Sequence, residues 1–159
     1  MLRYVVVGAL VTAFALSPNA VASADPAAPQ ADPPCTAETK DALTWPAGAT
    51  APSVCDGTTW QPVTDPYPMS DEWASPGPAM TLHGQGRRNP MLESGRWTAT
   101  PLTPETTCGA TQFAVISGTP TLTPPQTDRG EPGQPLSLEM VPRLFTVELT
   151  GNCLWRRSP

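Results

Sequence analysis

The stretch PLSLEMVPRLFTVELTGNCLW, residues 135–155, decides the fold class. Leu136, Leu138 and Met140 alternate with Ser137 and Glu139. After the Val141-Pro142-Arg143 bend, Phe145, Val147 and Leu149 alternate with Thr146, Glu148 and Thr150. A period of two puts every second side chain on one face of an extended chain, so both segments read as half-buried β-strands. Their closeness in sequence predicts a hairpin, although Pro142 excludes a two-residue turn. Gly151-Asn152 makes a kink, beyond which Cys153 and Trp155 keep the odd-numbered face of Phe145, Val147 and Leu149 turned to the core.

The same signal extends upstream. Arg96–Thr100 alternates around Trp97 and Ala99, Thr111–Ser117 carries Phe113, Val115 and Ile116, and a short strand is expected over Ala79–Leu82. Proline removes the helical alternative: all but Pro18 of the 22 prolines lie beyond residue 24, and each costs about 3 kcal/mol inside a helix. The expected fold is mainly β, a small antiparallel sandwich or barrel with Pro-rich loops, stabilised by disulfides. One short N-terminal helix is expected over Thr36–Leu43, with Thr36 as its N-cap and Trp45-Pro46 as its stop. Asp56-Gly57, set between β-prone residues, predicts a hairpin of type I′. Gln61–Asn89 and Thr123–Gly133 read as turns and loop, apart from the strand at Ala79–Leu82.

The amino terminus carries an address. Arg3, the apolar run Tyr4–Leu16, the Ser17-Pro18-Asn19 break and Ala22-Ser23-Ala24 form a signal peptide over residues 1–24, with cleavage expected after Ala24. The run falls short of the roughly 20 apolar residues of a membrane span. Residues 25–34 are a Pro/Ala-rich flexible spacer. Charge then divides the chain: residues 25–86 hold eight acids against Lys40, and residues 87–159 hold six acids against seven arginines. An acidic subdomain over residues 35–78, containing Cys35 and Cys55, and a β domain over 79–159 are expected. The acidic balance argues against nucleic acid or an anionic membrane as a partner, because both require a cationic face.

Four cysteines allow three pairings. Cys35 with Cys55 and Cys108 with Cys153 respects the charge division and is the expected set. Export makes oxidation the default. The chain has no C-x-x-C pair and His83 is its only histidine, so neither a metal site nor any cofactor is expected.

His83 is the one side chain poised for proton transfer near neutral pH. It opens His83-Gly84-Gln85-Gly86-Arg87-Arg88, in which backbone N–H groups and the Arg87 and Arg88 guanidinium forks could hold an anion, although an exposed turn is the plainer reading. No G-x-S-x-G occurs and no paired carboxylates stand out, so no catalytic residue is assigned. Among the five tryptophans, Trp97 and Trp155 lie on the inward phase of their strands, whereas Trp60 and Trp73, flanked by acidic and proline-rich turns, are the expected exposed binding rings.

Gly95 and Trp97, Cys108, Leu136 with Leu138, Phe145, and Gly151, Cys153 and Trp155 follow one another in an order that resembles a short secreted β module of actinobacterial, especially mycobacterial, exported proteins. The Ala-Ser-Ala-Asp-Pro signal exit is similar to mycobacterial precursors. The resemblance, over Ser94–Trp155, implies a disulfide-closed β domain outside the cell and brings no catalytic role with it. The expected function is that of a secreted or cell-wall protein acting as a non-enzymatic binding or structural module toward a wall polymer or envelope protein. The alternative is a small secreted hydrolase built around His83, Arg87 and Arg88.

Overall fold

The computed structural model describes residues 32–159. The expected signal peptide and residues 25–31 of the expected spacer lie outside the described residues. Twelve strands follow in chain order: β1 (Leu43–Thr44), β2 (Ser53–Cys55), β3 (Trp60–Pro62), β4 (Glu72–Ser75), β5 (Met80–His83), β6 (Gly95–Pro101), β7 (Gly109–Ser117), β8 (Thr121–Leu122), β9 (Gln126–Arg129), β10 (Leu136–Met140), β11 (Leu144–Thr150) and β12 (Cys153–Arg157). They form a seven-stranded sheet, ordered β10-β6-β12-β4-β1-β2-β3, and a five-stranded sheet, ordered β5-β11-β7-β8, with β9 also paired to β7. All pairings are antiparallel except the contact of β1 with β4, where Leu43 lies opposite Trp73. The architecture is mainly β without a closed barrel, and one core cluster draws on both sheets. The acidic segment 35–78 supplies β1 to β4 to the same sheet as β6, β10 and β12.

Three indoles dominate that core. Trp73, Trp97 and Trp155, on β4, β6 and β12, are fully buried, with Leu82, Leu144, Val147 and Leu149 of the other sheet in the same cluster. Each N–H has a partner: Trp73 donates to Met91 O, Trp97 to Glu93 O and Trp155 to Ser75 Oγ. A buried indole therefore keeps its apolar area in the core without orphaning its donor.

The expected hairpin of β10 with β11 does not form. β10 pairs with β6 in the larger sheet, and β11 pairs with β5 and β7 in the smaller one. Arg143, at φ 56°, turns the chain between the layers. Buried Gln112 of β7 holds the crossing, donating to Glu139 O and accepting from Val141 N–H. β12 then returns to the larger sheet through Gly151, at φ 84°, where a side chain would strike Thr107 O.

A second correction concerns Thr36–Leu43, which forms turns and the start of β1 instead of a helix. The Thr39 hydroxyl accepts from Thr36 N–H and donates to Pro34 O, local bonds that compete with helical ones. Asp41 N–H and Ala42 O are taken by Cys55 O and Cys55 N–H, which commits this backbone to the edge of β2. The Asp-Gly hairpin does form between β2 and β3. Its tip is Gly57-Thr58, with Gly57 at φ 104°, closed by a bond from Asp56 N–H to Thr59 O. This places glycine first in the tip, where the type I′ signal has Asp-Gly. The Asp56 carboxylate accepts from the N–H groups of Thr58 and Thr59 and from both their hydroxyls, which holds it well below the usual carboxylate range.

Both expected disulfides are present. Cys35–Cys55 fastens the entering chain to β2, and Cys108–Cys153 joins the residue before β7 to the first residue of β12, linking the two layers. Two closed loops of this kind fit an oxidising environment. Among the described residues no helix is long and apolar enough to cross a membrane.

Candidate functional site

Alternation along β5 sends Met80 and Leu82 into the core and leaves Thr81 exposed and His83 half-buried. The next residues stay against β11: Gly84 N–H donates to Phe145 O and Gly86 N–H to Leu144 O. A Cβ on Gly84 would lie 2.5 Å from Leu144, and one on Gly86 would strike Arg143 O. These glycines are required by close backbone approach. Their amides, and that of Arg87, which donates to Gly84 O, are spent inside the fold. The charged donors this loop offers an anion are the Arg87 and Arg88 guanidinium groups.

A bulge in β11 completes the surroundings. Leu144 lies opposite Ala114 and Thr146 opposite Phe113, so Phe145 is the extra residue. Bulges re-aim side chains. Here the buried position expected for Phe145 passes to Leu144, and Phe145 is half-buried with the Arg87 guanidinium 5.4 Å above its ring centre. From the segment after β3, Tyr67 stacks on His83, with ring centres 5.6 Å apart and planes 24° apart.

Two clefts meet at this group. One, about 460 Å³, runs past Trp45, Pro46, Met80 and Met91; the other, about 540 Å³, runs past Arg88, Asn89, Val115 and Phe145. Tyr67, His83 and Arg87 line both. Trp45 is steadied by a bond from its indole N–H to Ala49 O. Burial, and then the Arg87 charge, push the His83 imidazole below its ordinary value, against a smaller upward pull from the Asn89 backbone. His83 Nδ1 is buried without a partner among the described residues.

His83, Arg87 and Arg88 are thus brought together. Trp60 and Trp73 are not part of this group. Trp73 is 0% exposed, which corrects the expectation of a displayed ring: β4 is an inner strand, and the indole is enclosed between layers. Trp60 is half-buried on the other face of the larger sheet, against Ala42, Ala74 and Leu154, and donates to Pro33 O. The end of the expected spacer is therefore anchored at Pro33. Sequence reasoning missed Trp45, Tyr67 and Phe145. Tyr67 carries the signal that singled out Trp60 and Trp73, an aromatic among acid and proline in Asp65-Pro66-Tyr67-Pro68.

The lining residues of the two clefts include no Ser, Cys, Asp or Glu. The hydroxyl-bearing residues in the walls are Tyr67 and Thr81. With its stacked Tyr67 and His83 rings and the Arg87 cation, this surface can stack flat apolar faces and attract negative charge. A separate concavity of about 450 Å³, beside Cys108, is lined mostly by Thr and Gly with Asp128 and Arg129, and lacks aromatic walls. Among the described residues no three His, Cys, Asp or Glu side chains gather as a metal site. Compared with known proteins, the chain matches no family model, no curated protein and no solved structure.

Proposed function

We propose that this chain is an exported protein of a mycobacterium-like cell envelope that acts by non-catalytic binding, presenting the twin clefts around Tyr67, His83 and Arg87 to a wall polymer. The observation that carries this is the meeting of two clefts, each within the size range of ligand sites, on one stacked aromatic pair with a cation beside it. The disulfides, the leader-like residues 1–24 and the resemblance of Ser94–Trp155 to exported β modules support the location. Tyr67 is 38% exposed and contributes little to the core. Tyr67→Ser is therefore expected to lower retention of the oxidised mature protein on isolated cell wall severalfold while changing stability by no more than about 0.5 kcal/mol. Retention equal to that of the unaltered protein would remove the clefts from the binding surface.

A further inference from the structure

The geometry points to a subsite at Arg87 for the anionic group of a glycan-like strand, a phosphodiester or carboxylate carried next to a ring that lies along Tyr67 and His83. This rests on the binding reading above and specifies the chemistry of the ligand. Arginine pairing provides the first support. Arg156 is neutralised by Glu72, and Arg157 by Asp71 and Glu93, at 2.7 to 3.5 Å. Among the described residues Arg87, Arg88, Arg96, Arg129 and Arg143 make no ion pair, and of these five only Arg87 and Arg88 stand, exposed, at the walls of the two clefts. Asp65, the acid closest to Tyr67 in sequence, accepts from Tyr67 N–H through Oδ1.

Preorganisation provides the second. The Phe145 ring holds the Arg87 guanidinium by a cation–π contact, so a planar fork stands ready without a protein carboxylate to satisfy it. An incoming carboxylate or phosphate would gain charge-assisted, bidentate bonds there. Extent provides the third: because both clefts pass the same three side chains, an extended ligand can continue on either side of its charged group. The chain's net charge is −5, so a general anion such as nucleic acid meets repulsion elsewhere, and selection falls to this local fork.

Calorimetric titration of the oxidised mature chain with poly(glycerol phosphate), polygalacturonate and neutral dextran tests the subsite. At low salt, at least one charged polymer should bind about tenfold more tightly than dextran, with added salt weakening it. Preference for poly(glycerol phosphate) assigns the phosphodiester source, and preference for polygalacturonate assigns the carboxylate source. Arg87→Gln should bring the charged polymer to the dextran level without moving the melting temperature, and Arg87→Lys should restore only part of the loss, because an ammonium group lacks the fork. Binding of dextran equal to that of the charged polymers, no binding of either charged polymer, or insensitivity to Arg87→Gln would overturn the proposal. If wall retention still falls with Tyr67→Ser in that event, the binding reading survives and only the anion subsite is lost.

Discussion

Replacing Cys108 and Cys153 together by alanine is expected to cost about 4 kcal/mol, by the loop-entropy model for a separation of 45 residues. That is a large share of the roughly 5–15 kcal/mol that holds a domain together. The bridge also has a local role that chain entropy does not count: both cysteines are 0% exposed, and they join the layers next to the Gly151 crossing. Thermal unfolding followed by circular dichroism should shift down by on the order of 15 °C. The Cys35 and Cys55 double replacement should cost less, about 3 kcal/mol, because its separation is 20 residues and it fastens an edge of the larger sheet. Equal melting temperatures for the Cys108/Cys153 variant and the unaltered protein would mean that noncovalent packing alone joins the two sheets.

The other large effect belongs to Trp73→Ala. The side chain is enclosed, its strand position lies opposite Trp155 on one neighbour and Leu43 on the other, and its N–H satisfies Met91 O. Truncation would open a cavity of indole size and leave Met91 O with the Ser70 N–H as its remaining donor. Burial of this kind is worth about 3–5 kcal/mol. Trp60→Ala, which empties a half-buried position on the outer face, should cost clearly less. Chemical denaturation of both variants separates the two cases. Comparable losses, or a larger loss at Trp60, would contradict the placement of Trp73 between the layers.

These two tryptophans also show where local sequence stops being informative. Glu72-Trp73-Ala74-Ser75 is buried at three successive positions, on an inner strand covered on both faces. It therefore lacks the alternation that revealed β6, β10 and β11, and it sits among prolines that read as turns. β9, Gln126–Arg129, is hidden for the opposite reason: it has no large apolar side chain and is held by backbone pairing to β7. Where alternation exists, it assigned the inward faces of Trp97, Leu138, Val147, Leu149, Cys153 and Trp155 correctly. Alternation specifies which side of a strand is buried, but it carries no information about the partner strand. That is why β10 and β11 looked like a hairpin, although Gln112, distant in sequence, fixes them in different layers.

The site divides in the same way. His83, Arg87 and Arg88 could be named because their side chains carry chemistry and are contiguous in sequence. Tyr67 and Trp45 reach them only through tertiary packing, and Phe145 reaches them through a one-residue bulge. The glycines of the loop allow an anion-binding nest beside the plainer reading of an exposed turn, and β11 occupies the amides of Gly84 and Gly86.

His83, as the only histidine in the chain, gives a single imidazole resonance at the junction of the two clefts. Its C2 proton should titrate with a midpoint below the ordinary value of about 6.5, because burial and the Arg87 charge disfavour the imidazolium. Saturation with whichever charged polymer binds more tightly should raise that midpoint, since an anion against Arg87 offsets the cation's field. A midpoint at or above the ordinary value, unmoved when the polymer is bound, would contradict a ligand site between Tyr67, His83 and Arg87.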